Sequence, residues 1–161
     1  MPAPVSKEQL REELARLLAA DLATRERAHR AAREGATHEE AKPENDKDTR
    51  ALEQSYLARG EALRVEELKL GLAEVQNMPL RIVREGDPAA LGAIVRAEED
   101  GEPLVLWLAP HGGGNRLAEG TVQIVTPKSP LGRALIGKRA GDECEVKLAG
   151  KSRLLTIERV E

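Results

Sequence analysis

Acidic residues are concentrated in one short stretch in the first half of the chain. Carboxylate oxygens are the ligands that hard cations such as Mg²⁺ prefer, and one or two carboxylates with several waters is a typical Mg²⁺ arrangement. Such a set binds the cation weakly unless a substrate or partner supplies further ligands. The alternative interpretation is an ordinary solvated helix end, because acids are common where helices begin. The acids near positions 39–48 are Glu39, Glu40, Glu44, Asp46 and Asp48.

A basic segment precedes this acidic stretch. Its arginines are interrupted by one acid, Glu26. Charge alone is also typical of a solvated helix face, and the net charge of −3 argues against a protein that coats nucleic acid through bulk charge. The arginines are Arg25, Arg27, Arg30 and Arg33.

The residues before the acidic stretch predict one long helix. Ser6 and Gln9 have the spacing of a capping box, which supplies partners for the first unpaired amides of a helix. We expect the helix to end at Gly35. The apolar positions that recur at three- and four-residue steps are Leu10, Leu14, Leu17, Leu18, Leu22, Ala28, Ala31 and Ala32.

A second helix is predicted from about residues 46–48 to Asn77, because Pro79 disfavours helix in the residue before it. Neither helix can bury its apolar side alone, so we expect residues 1–78 to form an antiparallel two-helix coiled coil with an acidic turn near residues 39–48. The predicted apolar stripe of the second helix consists of Leu52, Tyr56, Leu63, Leu68, Leu70, Leu72 and Val75.

Residues 79–161 are rich in Gly, Pro and Val and predict a small β-rich domain, which makes the chain α+β. Asp100-Gly101 is a strong hairpin signal, and the run 104–108 is apolar on both faces, as in a buried central strand. The predicted strands are 93–97, 103–109, 121–126, 143–148 and 153–160, with a short helix at 130–136.

Composition and single residues limit the classes of function. The chain has no Phe, one Tyr and one Trp, so its core must be built from aliphatic side chains. A single cysteine, Cys144, favours a reducing compartment, and the absence of an apolar signal or membrane-length run predicts a cytoplasmic protein. His111 and the three glycines after it resemble an esterase oxyanion loop, but no G-x-S-x-G nucleophile elbow accompanies them. We therefore expect a turn there.

The stretch from Ser129 to Lys138, SPLGRALIGK, with AGDE at 140–143, closely resembles the C-terminal signature of the GreA/GreB transcript-cleavage factors. The segments LGAIV at 91–95 and LTIERV at 155–160 also resemble strands of that family. The similarity extends over essentially the whole chain and is most specific in the second half.

This resemblance implies an FKBP-like second domain that docks on RNA polymerase, and a coiled coil that enters the secondary channel of the enzyme. It implies that Glu44, Asp46, Asp48 and Glu40 help to hold a Mg²⁺ shared with polymerase and to position the water that cuts backtracked RNA. The basic segment would steer the nascent RNA through phosphate contacts. The residues implied to form the docking domain are Ser129, Pro130, Leu131, Gly132, Arg133, Leu135, Ile136 and Gly137.

The acidic turn departs from the family pattern, which usually reads Gly-Asp, two residues, then Glu-Asn. Glu44-Asn45 fits the last pair, whereas Ala41 stands at the aspartate position and Glu40 at the glycine position. Two interpretations stay open: another acid of the turn replaces the missing ligand, or the protein binds the channel and regulates or inhibits polymerase without stimulating cleavage. In neither case is the chain expected to be an enzyme in its own right.

Two other classes remain as alternatives. A prolyl isomerase or chaperone would suit an FKBP-like domain, although such pockets are lined by aromatic residues and this domain offers only Trp107. A structural adaptor would dimerise through its helices, whereas an internally satisfied hairpin predicts a monomer.

Overall fold

The computed structural model describes residues 5–40 and 48–161 and has the predicted α+β architecture, a pair of long helices followed by a β-rich part. These residues form two compact units: residues 16–73, and the residues up to Ala15 together with Glu74–Glu161. The helices are α1 (Lys7–Glu40), α2 (Asp48–Asn77) and α3 (Pro130–Leu135), and the strands are β1 (Ile94–Glu99), β2 (Glu102–Leu108), β3 (Arg116–Leu117), β4 (Val122–Val125), β5 (Glu143–Leu148) and β6 (Lys151–Val160).

Helix α1 begins where the capping pattern predicts and ends later than predicted. The Ser6 hydroxyl accepts a hydrogen bond from the Gln9 amide at 3.3 Å, and it donates to the Glu8 carboxylate at 3.0 Å. The prediction that Gly35 ends the helix was wrong, because α1 continues to Glu40. A glycine inside a helix costs about 0.5–1 kcal/mol relative to alanine, which is too little to end a helix of 34 residues.

The prediction of the buried face of α1 was correct for its first turns only. Leu10, Leu14 and Leu18 are buried, whereas Leu17 is 42% exposed. Ala28, Ala31 and Ala32, predicted to continue the apolar stripe, are exposed. The partly buried positions that continue the same face are Leu22, Arg25 and His29, at steps of four, three and four residues from Leu18.

Helix α2 has two apolar faces, and the sequence pattern predicted a mixture of them. Leu68, Leu72 and Val75 lie on the face that is buried, as predicted, but Leu52, Tyr56, Leu63 and Leu70 are 56%, 64%, 66% and 63% exposed. Both sets follow steps of three, four or seven residues, so periodicity alone does not distinguish them. The face with reduced exposure consists of Gln54, Ala58, Glu61, Val65, Leu68, Leu72 and Val75.

Contacts between the long helices show that they run antiparallel. Near the start of α1, the Arg11 guanidinium donates to the carbonyl of Met78, just after α2, at 3.1 Å. Further along α1, Arg25 Nη1 lies 3.9 Å from Glu61 Oε2. Residues later in α1 therefore meet residues earlier in α2, as in a coiled-coil hairpin.

The β-rich part is a six-stranded mixed sheet in the order β3-β4-β2-β1-β6-β5. Strand β2 pairs parallel with β4, and the other pairs are antiparallel. The predicted hairpin at Asp100-Gly101 is present, with φ of 52° and 81° at the two residues. The two-residue strand β3 was not predicted. The predicted strand 143–148 is confirmed at both ends as β5, and the other predicted strands differ from the observed ones by one or two residues at one or both ends.

The core of this unit is mainly aliphatic, with Trp107, Met78 and Cys144 as its other buried apolar side chains. Trp107 on β2 is 0% exposed, and its indole N–H donates to the Gly92 carbonyl at 3.3 Å. Cys144 on β5 is 1% exposed, and burial raises the pKa of its thiol. Both side chains are packing residues, and Trp107 does not offer the exposed aromatic wall of a prolyl isomerase pocket.

The first turns of α1 belong to the same compact unit as the sheet, and specific contacts attach them. The Glu13 carboxylate accepts a hydrogen bond from the Ala118 amide at 3.0 Å. A Cβ on Gly112 would lie 2.6 Å from Leu14 Cδ1, so glycine lets the loop approach the helix. The histidine of this loop, His111, pairs with Glu74 at 2.8 Å. The glycine-rich stretch is therefore a turn that packs against α1.

None of the helices in the described ranges is long and apolar enough to cross a lipid bilayer.

A bidentate ion pair joins the β1–β2 hairpin to β6. Arg153 Nε and Nη2 donate to the two oxygens of Glu99 at 2.8 Å and 2.5 Å. These hydrogen bonds lower the pKa of Glu99, with partial burial opposing the shift. Because the folded pKa lies below that of the unfolded chain, about 4.3, the pair stabilises the fold above that pH. This stabilisation is lost as the pH falls through the lower folded value.

We expect Glu99→Gln to lower the free energy of unfolding by about 0.5–1 kcal/mol at pH 7, since the pair is partly solvated. The difference from wild type should shrink as the pH falls below about 4.3. Urea unfolding followed through Trp107 fluorescence at several pH values measures both effects. Glu98→Gln, on the exposed neighbouring residue, is the control. If Glu99→Gln lowered the free energy of unfolding by the same amount at acid pH as at pH 7, this result would contradict the stabilising role of the ion pair.

Candidate functional site

The acidic turn lies between the two long helices. Glu40 is the last residue of α1 and Asp48 is the first residue of α2. Glu44 and Asp46, as well as Ala41, fall in residues 41–47, outside the described residues. The two outer candidates are thus the helical residues immediately before and after residues 41–47. Over the described ranges, no three His, Cys, Asp or Glu side chains are grouped so that they could hold a metal ion.

The four arginines of α1 do not form one group. Arg25 lies on the face toward α2, where its guanidinium is 3.5 Å from Asp21 and 3.9 Å from Glu61. The acid of this segment, Glu26, lies 3.7 Å from Lys69 of α2. Arg25 and Glu26 therefore belong to the polar contacts between the helices.

The other three arginines, Arg27, Arg30 and Arg33, are exposed and spaced by three residues. Side chains three residues apart lie on adjacent positions of a helix surface, so these three form one slanted row. Within the row, Arg27 Nε also donates to the Ala23 carbonyl at 3.4 Å. This row is the part of the predicted basic segment that presents guanidinium groups to solvent.

The signature motif of the second half forms helix α3 and its cap. The Ser129 hydroxyl accepts a hydrogen bond from the Gly132 amide at 3.0 Å and donates to the Thr126 carbonyl at 2.8 Å. Pro130 occupies the first turn, where a missing N–H costs nothing. Ser129 therefore caps the start of a helix of only six residues, and Pro130 suits its first turn.

Gly132 is required by a close approach of two backbone segments. A Cβ at this position would lie 1.9 Å from the Thr126 carbonyl oxygen and 2.7 Å from its carbon. Neither atom can move without breaking the cap of α3. The motif glycine thus fixes how α3 packs against the strand that precedes it.

Only part of the motif is available to a partner. Leu131 and Leu135 are 7% and 0% exposed and pack in the core, and Gly132 is buried. The prediction that these three residues shape the docking domain concerns packing rather than direct contact. The motif residues on the surface are Pro130, Arg133, Ile136 and Gly137, with Ser129 partly buried.

The end of the motif is joined to the segment before β1. Gly137 adopts φ of 86°, in the region that favours glycine, and its amide donates to the Ala89 carbonyl at 2.8 Å. The Ala89 amide in turn donates to the Lys138 carbonyl at 2.7 Å. This two-way bridge holds the exposed Ile136 at a defined position on the surface.

Replacing Gly132 with Ala should lower the free energy of unfolding by about 3 kcal/mol, because the added methyl group collides with backbone atoms. Gly60→Ala is the matched control, since Gly60 lies inside α2 and a methyl group added there would have no atom within 4 Å. That change should raise helix stability by about 0.5–1 kcal/mol. Urea unfolding of both variants measures the difference. A Gly132→Ala protein as stable as wild type would refute the close approach.

Comparisons with known proteins support the family resemblance of the motif at residues 129–138. Residues 113–161 match the family model described as transcription elongation factor, GreA/GreB, C-terminal. Transcription elongation factor GreA of Halorhodospira halophila (strain DSM 244 / SL1) is 33% identical over 154 residues, covering 95% of this chain and 91% of that protein.

Among solved structures, the chain is similar to GreA factor homolog 1 (Gfh1) of Thermus thermophilus, with 19% identity and a TM-score of 0.40 over 91% of this chain and 94% of that one. It is also similar to the GreA/GreB factor from Nitrosomonas europaea, with 22% identity and a TM-score of 0.34 over 60% of this chain and 77% of that one. On the strength of the sequence relationship along nearly its whole length, the chain belongs to the GreA/GreB family of transcription elongation factors.

Proposed function

We propose that this protein binds RNA polymerase through the secondary channel and stimulates cleavage of the 3′ end of backtracked RNA. The observation that carries the proposal is the 33% identity to a transcription elongation factor over 95% of the chain. That relationship includes the two long helices and the acidic connection between them. The cleavage chemistry belongs to polymerase, so the protein acts as an accessory factor and not as an enzyme.

The acidic turn supplies the chemical contribution of the protein. Glu44 is the main proposed ligand, with Asp46 beside it and with Asp48 and Glu40 as candidate partners. Carboxylate oxygens suit Mg²⁺, and a few of them make an incomplete site, which fits a cation shared with polymerase. A Mg²⁺ bound there would stabilise charge on the scissile phosphate and lower the pKa of a bound water. The carboxylates of the turn hold and orient the ion.

The exposed arginine row supplies a second contribution. Arg27, Arg30 and Arg33 precede the acidic turn on α1 and present cationic groups on one side of the helix. Guanidinium groups bind phosphates through charge-assisted hydrogen bonds. We assign this row to the backbone phosphates of the extruded RNA. Because such contacts release counterions, they should weaken as salt concentration rises.

The surface part of the signature motif is assigned to docking on polymerase. Arg133 and Ile136 are exposed, while the buried residues of the motif hold α3 in place. An apolar side chain next to a guanidinium is a common composition for a protein interface. The unit that contains the sheet would thus attach the factor to polymerase, and the acidic turn would act on the RNA.

A second function is supported by one residue of the turn. Ala41 stands where the family pattern has an aspartate, so one carboxylate is missing. A factor with this turn would bind the channel and regulate or inhibit polymerase without stimulating cleavage. Both functions require polymerase binding, and they differ in whether RNA is shortened.

The experiment compares wild type with Glu44→Ala/Asp46→Ala on stalled, backtracked elongation complexes with Mg²⁺. We expect the double variant to lose about 100-fold or more of the cleavage rate, because metal coordination is disturbed. Polymerase affinity should change less than about twofold, since docking is assigned to other residues. RNA length on denaturing gels and a polymerase binding titration provide the two measurements.

Glu12→Ala/Glu34→Ala removes two exposed carboxylates of α1 outside the turn and is the matched control, with wild-type cleavage expected. Normal cleavage by Glu44→Ala/Asp46→Ala would disprove the assignment of the turn. Polymerase binding by wild type with slowed transcription and no shortened RNA would establish the regulatory function instead.

A further inference from the structure

The contact between the two long helices changes in character along its length. Leu18 of α1 and Val65 of α2 are buried, at 7% and 6% exposure. Beyond them, no side chain that the structure describes in residues 22–35 of α1 or 52–64 of α2 is buried. We call these two stretches the outer segments. Because burial of an apolar face supplies most of the stability of a helix in a protein, the outer segments lack the main source of that stability.

The partly buried positions of the outer segments carry mostly polar or small side chains. Only Leu22 among them has a large apolar side chain, and alanine removes little apolar area from water. The leucines and valines that face inward nearer the sheet are thus not continued toward the far ends of the helices. The partly buried positions are Leu22, Arg25, Glu26 and His29 on α1, and Gln54, Ala58, Glu61 and Ala62 on α2.

Ion pairs connect the α1 outer segment to α2. Arg25 Nη1 lies 3.9 Å from Glu61 Oε2, and Glu26 Oε1 lies 3.7 Å from Lys69 Nζ. These four side chains are between 35% and 49% exposed. Ion pairs this exposed to water contribute little to stability, and salt screens them. They therefore hold the outer segments together weakly, and less well as the ionic strength rises.

His29 weakens this contact further. Its Nδ1 atom is buried, and no described residue forms a hydrogen bond with it. Removing a polar atom from water without replacing its hydrogen bond is unfavourable. His29 follows Arg25 by four residues, so it lies on the same side of α1, toward α2. A leucine at this position would pack against α2 without an unsatisfied polar atom.

Each outer segment also contains a glycine inside its helix. A Cβ added to Gly35 of α1 or to Gly60 of α2 would have no atom within 4 Å, so packing requires neither glycine. Glycine lowers the stability of a helix relative to alanine, because its backbone loses more conformational freedom when the helix forms. The scarce apolar burial, the unsatisfied histidine and the two glycines all destabilise the same part of the molecule.

We propose that the outer segments form a local opening unit, in which α1 and α2 separate beyond Leu18 and Val65 while the rest of the fold stays intact. Regions with few buried apolar contacts open at a lower free energy than the whole protein unfolds. Since α1 and α2 flank residues 41–47 in the sequence, opening changes the distance between the two ends of the acidic turn. Salt favours the open form, because the ion pairs belong to the closed one. This device is a property of the chain by itself and does not require polymerase.

Native-state hydrogen exchange of the full chain, followed by mass spectrometry of its peptides, measures local opening. At pH 7 and low salt, the outer segments should exchange at least about 10-fold faster than residues 65–75 of α2. Raising NaCl from about 0.02 M to about 0.5 M should increase this ratio about twofold or more, because the ion pairs are screened. Outer segments that are protected as strongly as residues 65–75 would overturn the proposal, and a ratio that does not respond to salt would overturn the role of the ion pairs.

A substitution at His29 tests whether the two helices open together. His29→Leu should slow exchange about 10-fold in both outer segments, because an apolar side chain replaces a buried polar atom that has no hydrogen bond. The matched control is Ala28→Leu, which introduces the same side chain at the neighbouring exposed position, so less than a twofold change is expected. Slower exchange that is confined to α1 would reflect the stability of one helix alone and would contradict a joint opening.

A second variant tests the same opening from the other helix. Gly60→Ala adds one methyl group where there is space for it, and it should slow exchange about two- to fivefold in both outer segments. Residues 65–75 should change less than twofold in this variant, because they stay closed when the outer segments open. If neither His29→Leu nor Gly60→Ala slowed exchange in residues 22–35 and 52–64 together, the outer segments would not be an opening unit.

Discussion

The packing of α1 against α2 is the constraint on which the site depends. A helix of 30 or more residues with a mostly polar surface gains little stability alone, and most of its stability in a protein comes from burying an apolar face. Leu18 and Val65 supply buried apolar contacts in the unit 16–73, and Arg25–Glu61 and Lys69–Glu26 add polar ones. Because surface ion pairs contribute only about 0–1 kcal/mol each, the aliphatic residues must hold the pair together. Helices α1 and α2 are thereby kept paired on the two sides of residues 41–47 in the sequence.

A second constraint, the approach of Gly132 to the Thr126 carbonyl, organises the part of the sheet unit that we propose docks on polymerase. It lets α3 lie close to the chain before it, so that Leu131 and Leu135 enter the core. The buried motif residues therefore fix the position of α3, and the exposed Arg133 and Ile136 are the motif residues that we propose contact polymerase. This division explains why a short sequence signature can be mostly structural and still identify a family with a shared partner.

Much of this architecture follows from the sequence, and the failures have physical causes. The Ser6 cap, the end of α2 before Pro79 and the Asp100-Gly101 hairpin are local signals, and each is confirmed. The prediction that Gly35 ends α1 failed because the free-energy cost of one glycine is small relative to the stability of a long helix. The buried face of α2 could not be chosen from periodicity, because two faces have similar spacing and only packing against α1 selects one. Gly132 as a close-approach glycine depends on tertiary contact with Thr126, which no local pattern reveals. The roles of Glu44 and Asp46 rest on resemblance and remain proposals.

The most direct measurement adds purified wild-type protein to backtracked elongation complexes with Mg²⁺ and follows polymerase binding and RNA length together. The account predicts a stable complex in which the RNA loses nucleotides from its 3′ end far faster than without the protein. Binding to polymerase that leaves the RNA intact would contradict cleavage stimulation. Failure to bind polymerase at all would contradict the functional account as a whole.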